Sequence, residues 1–128
     1  MIRVTLVQFA ILQIIIAGSN TYGDKQIVEM LGEYFSSFKD SPNLIGQRFY
    51  GNSNEMVFQL EIETESTRVN KALIFGFDTI SKFSDISKNK FTHSILIIHF
   101  NENILPIVAE ANIDCSEKFF IDKSYDEN

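Results

Sequence analysis

A chain of 128 residues has room for one domain of ordinary size, and 45% hydrophobic against 22% charged side chains excludes a fully disordered polymer. The formal charge of −6, with no basic stripe along any segment, excludes nucleic acid as an expected partner, because phosphate backbones are repelled. A single cysteine, Cys115, excludes an internal disulfide framework and leaves twelve Phe and four Tyr to build a core by packing alone.

In chain order the first feature is apolar. Arg3 precedes a stretch over 4–18 whose only polar side chains are Thr5, Gln8 and Gln13. Its length falls short of the roughly twenty residues that span a bilayer as a helix. Ala17, Gly18 and Ser19 present the small-x-small pattern that signal peptidases accept. Residues 1–19 therefore read as a signal peptide, with a retained N-terminal membrane anchor as the alternative. Gln8 and Gln13 sit awkwardly in a signal core, and with Thr5 they share one wedge of a helical wheel, as in a packed or membrane-lying helix. Residues 20–128 read as a single α+β domain, secreted or periplasmic, or membrane-anchored if the run is kept.

Next, Ile27, Val28, Leu31, Tyr34, Phe35 and Phe38 recur at helical spacing. Thr21 or Asp24 can cap the start, and Pro42 disfavours helix at Ser41. A short strand is expected in "GQRFYG", then turn chemistry in "GNSN". In "MVFQLEIET" the residues Met56, Phe58, Leu60 and Ile62 alternate with Gln59, Glu61 and Glu63, the pattern of a half-buried antiparallel strand. A longer helix is expected over 66–87, with Val69, Leu73, Gly76, Ile80 and Phe83 as its stripe. Gly76 within that stripe points to close approach of helix and sheet.

"FTHSILIIHF" is apolar on both faces, with Leu96, Ile98 and Phe100 on one and Ile95 and Ile97 on the other. "LPIVAEANIDC" alternates again: Ile107, Ala109, Ala111 and Ile113 inward, Glu110, Asn112 and Asp114 outward. Continuing that period places Cys115 on an apolar strand face as a buried, inert thiol. "KFFID" suits a last short strand, and "KSYDEN" a fraying polar tail. The expected fold is a two-layer α+β sandwich in the order α-β-β-α-β-β(-β), a mostly antiparallel sheet of four or five strands with two helices on one face. A shift of 49 residues brings Phe58, Leu60 and Ile62 onto Ile107, Ala109 and Ala111, and Leu31 and Tyr34 onto Ile80 and Phe83. The identities are too few to establish duplication.

No segment selects a chemistry. His93 and His99, on one strand, stand roughly 20 Å apart at about 3.3 Å per residue and cannot share a metal ion. Glu61, Glu63, Glu110 and Asp114 would form an acidic patch if their strands share a sheet face, the starting point for a small hydrolase or a calcium site. A solvated sheet face is the better explanation, because antiparallel sheets usually show one. Glycines form no phosphate-binding loop, and serines no nucleophile elbow. No cofactor or metal is expected. The remaining signal is Ile95 and Ile97, which need cover on the face away from the helices. The expectation is a small exported, non-enzymatic protein that binds a protein partner, a ligand or its own copy through that face, with Ile95, Ile97, His93, His99, Glu61, Glu63, Glu110 and Asp114 as binding candidates. The alternatives are a membrane-tethered accessory subunit and a small hydrolase using the acidic patch.

Overall fold

A computed structural model describes residues 22–52 and 54–120. The expected signal peptide and the polar tail lie outside these residues. The elements are α1 (Asp24–Ser36), β1 (Asn43–Gly51), β2 (Met56–Thr64), a 3-10 turn (Ser66–Arg68) leading into α2 (Val69–Asp85), β3 (His93–Phe100), β4 (Ile107–Asn112) and α3 (Ile113–Phe120). They make an α+β fold around a four-stranded sheet in the order β1-β2-β3-β4. The outer pairs are antiparallel, and the central pair, β2 with β3, is parallel. Parallel neighbours need a crossover, and α2 supplies it. The sheet is therefore mixed, antiparallel at two of its three seams.

α1 begins at Gly23, whose N–H donates to the Gln26 side chain at 3.1 Å. Asp24 is the first helical residue, and it accepts a hydrogen bond from Asn89 Nδ2 at 2.7 Å that ties the helix start to the α2–β3 loop. Ile27, Leu31, Tyr34 and Phe35 are buried one turn after another, while Val28 and Phe38 stay on the exposed flank. Beyond the helix, Ser41 Oγ donates to the Phe35 carbonyl at 3.0 Å, just before Pro42.

α2 lies over the central seam. Phe58, Leu60 and Ile62 of β2 and Leu96 and Ile98 of β3 are all fully buried beneath the helices. Each such side chain contributes about 1.5–3 kcal/mol when removed from water. Gly76 sets the layer spacing: a Cβ there would lie 2.6 Å from both terminal methyls of Leu96. Between the helices, the Tyr34 ring packs edge-on against Phe38 and Phe83 and stacks on Phe75. Burial pushes the Tyr34 phenol above its ordinary pKa, partly opposed by neighbouring Lys82. Burial alone would lower Lys82, but its 2.8 Å bond to Asp78 and the fields of Tyr34 and Asp78 carry it upward on balance.

At the β1–β2 hairpin Gly51 has φ 131°, a conformation that side chains disfavour, and a Cβ there would run into the Glu55 carbonyl. Asn52 Oδ1 accepts the N–H groups of Asn54 and Glu55, which closes the turn.

Three expectations are corrected at the C-terminal end. Residues 113–120 form a helix and not the continuation of a strand, so the order is α-β-β-α-β-β-α. Ile113 is buried as the first residue of α3, with Ser116 one turn later also buried, and Cys115 between them is exposed. "KFF" belongs to α3, which packs on α2 and so joins the helix layer instead of adding a strand. The 49-residue rhyme holds for element order: α1 and α2 end 49 residues apart, as do β1 and β3. It is not a repeat in space, because β1 and β3 run in opposite directions. Among the described residues no helix is long and apolar enough to cross a membrane.

Candidate functional site: the open face of the sheet

Side chains opposite each other in a ladder share a face, so the registers assign every strand residue to one side of the sheet. All three helices lie on the side of Phe58, Leu60, Leu96 and Ile98. The other side carries three cross-strand rows. In the first, Tyr50, Val57, His93 and Asn112 stand side by side; in the second, Arg48, Gln59, Ile95 and Glu110; in the third, Gly46, Glu61, Ile97 and Val108. Glu63 and His99 form the end of a fourth.

Seven of the eight candidate residues thus share this face: Glu61, Glu63, His93, Ile95, Ile97, His99 and Glu110. Asp114 does not. It is exposed on α3, where its N–H is held by Asn112 Oδ1 at 2.9 Å.

Ile95 and Ile97 run down the centre, half-buried, with no described element above them. Val57 and Gln59 on the same face are each 8% exposed, closed in by larger neighbours. Val108, beside Ile97 on the edge strand, is 60% exposed. The apolar floor therefore opens toward β4 and is closed toward β1. There Tyr50 donates its hydroxyl to Gln59 Oε1 at 3.0 Å, and the Arg48 guanidinium lies 5.4 Å from the Tyr50 ring centroid.

Polar groups frame the two ends. His99 Nε2–H donates to Glu61 Oε1 at 3.0 Å, across the central seam. Gly46 opposite Glu61 puts no side chain against that carboxylate from β1. At the other end His93 Nδ1 is 2.9 Å from the Thr92 hydroxyl and 3.6 Å from Glu55 Oε1. Both His–Glu contacts are partly exposed, a setting in which even a charged pair contributes only about 0–1 kcal/mol.

The acidic patch resolves into separated groups. Glu61 and Glu110 lie two strands apart and two residues out of step, on the order of 12 Å at ordinary sheet spacings. Ile95 and Ile97 stand between them. Among the described residues no three His, Cys, Asp or Glu side chains converge where a metal ion could be held. Glu63 also borders a cleft of about 320 Å³ at the exit of β2, lined by Asp40, Asn43, Thr64, Arg68 and Lys71. Asp114 borders another at the start of β3 with Ser84, Lys88 and Phe91.

Arg48, Tyr50, Gln59 and Val108 belong to the face and were not among the candidates. Gln59 was legible from its alternation. Arg48 and Tyr50 were concealed because "GQRFYG" is only part of β1, and the irregular step between Leu44 and Gly46 breaks its alternation. Comparison with protein-family models, curated proteins and solved structures finds no match.

Proposed function

We propose that this chain is a non-enzymatic binding protein that engages a protein partner through the open face of its sheet. The observation that carries this reading is the half-buried Ile95–Ile97 ridge, continuous with exposed Val108 and bounded by Glu61–His99 and Glu110. An apolar strip rimmed by charged groups is the usual anatomy of a protein interface. Export is the companion proposal. It rests on Arg3, the apolar run over 4–18 and the Ala17-Gly18-Ser19 step, and recovery of a chain starting near Asn20 supports it. A chain starting at Met1 in the membrane fraction favours a tethered subunit instead. The hydrolase alternative has less support, since Glu61 is engaged by His99 and Glu110 stands apart.

The test is site-specific photo-crosslinking. A photoreactive residue at position 97 is expected to capture a defined partner in the native compartment, whereas one at position 74 is not. Ile74 is 61% exposed but sits on α2, in the helix layer, so it controls for exposure alone. Unlabelled parent protein should compete that capture away, and the unlabelled double variant Ile95→Ser, Ile97→Ser should not. Equal capture from positions 74 and 97 removes the basis for the reading.

A further inference from the structure

Nine large hydrophobic side chains are exposed among the described residues, and four of them fall within five positions: Ile104, Leu105, Ile107 and Val108. They lie at and just before β4, the edge of the sheet. Edge strands ordinarily carry lysines, internal prolines or bulges that discourage another strand from pairing. β4 carries none of these. Its register with β3 is unbroken over Ile107–Asn112, Pro106 lies outside it, and its one charge is Glu110. Among the described residues nothing pairs with its outer edge.

We infer that β4 pairs antiparallel with β4 of a second copy of this chain, joining two sheets into one of eight strands. The occupant is a second copy because the strand is complementary to itself in a register centred on Ala109. There Val108 stands opposite Glu110 of the other copy, both on the open face, and Ile107 opposite Ala111, both on the helix face. Leu105, 85% exposed, then reaches the buried-side start of the other α3 at Ile113. The chain's net charge of −6 works against self-association, but β4 brings only one acid per copy to the seam. The two Glu110 side chains fall on a diagonal, about 7–8 Å apart, close enough to repel weakly. A two-fold axis through Ala109 keeps both open faces on the same side of the joined sheet.

The edge adjoins the Ile95–Ile97 ridge at Val108 and Glu110, but dimer mass and partner capture are separate readouts, so the two readings fail separately. A dimer that captures no partner at position 97 removes the proposed function and leaves this inference standing. Light scattering on the purified chain is expected to give about twice its intact mass, and Val108→Lys is expected to halve that value with circular dichroism unchanged. A monomeric parent, or a Val108→Lys variant that remains folded and dimeric, overturns the inference. Glu110→Lys tests the register even if Val108→Lys does not fold. Mixed with the parent, it should form the mixed pair above the statistical share in native mass spectrometry, because Lys meets Glu on the diagonal. A statistical mixture overturns it.

Discussion

The separation between sheet and helices is decided at one residue. Gly76 lets the α2 backbone rest on Leu96, and any side chain larger than hydrogen meets two methyl groups at 2.6 Å. Leu96 is fully buried and has little room to yield. Gly76→Val is therefore expected to destabilise the fold by about 1–3 kcal/mol, the usual cost of overpacking. A lowered urea midpoint at unchanged slope measures it, and an unchanged midpoint would show that the layers can part. The glycine was legible in the sequence because it sits inside an apolar stripe where propensity alone disfavours it. Cys115 was misread for an equally physical reason. Ala109, Ala111, Ile113 and Cys115 follow a two-residue period, but the chain changes to a helical period at Ile113, where Ile113 and Ser116 are the buried positions. Two overlapping periods in so few residues cannot be separated without the tertiary partner that chooses between them, here α2.

Among the elements, α1 and α2 are joined by a polar contact within an aromatic cluster. Tyr34 and Lys82 both have pKa values raised above the ordinary ones, 10.0 and 10.5. A raised folded-state pKa means that the folded protein holds its proton more tightly than the unfolded chain. The stability so contributed is complete below the unfolded value and is lost as pH rises through the folded one. Stability should therefore be level near neutrality and fall above about pH 10. Tyr34→Phe removes one of the two titrations, so its decline should be shallower in urea midpoints measured across that range. Parallel curves for parent and variant would show that Tyr34 takes no part. Both helices and the alternation of β2 were legible, because long amphipathic segments carry their period in many residues. The direction of the central pair was not. The order β-α-β is compatible with adjacent parallel strands or with separated ones, and only the sheet order decides.

For the molecule as a whole, no described element covers the side of the sheet that carries Ile95 and Ile97. The sequence names no partner for that side, because half-buried isoleucines specify area and not chemistry. The parallel seam also bears on how the chain reaches its fold. Each β2–β3 partner pair is 36 residues apart in sequence, whereas four residues separate β1 from β2. Closing the longer segment costs about 2 kcal/mol more in chain entropy. The hairpins should consequently nucleate and the seam zip last, with α2 settling over it. In stopped-flow experiments Gly51→Ala, in the first hairpin turn, should chiefly slow folding, while Ile80→Val, over the seam, should chiefly hasten unfolding. The reverse assignment would mean that the crossover docks before either turn has formed.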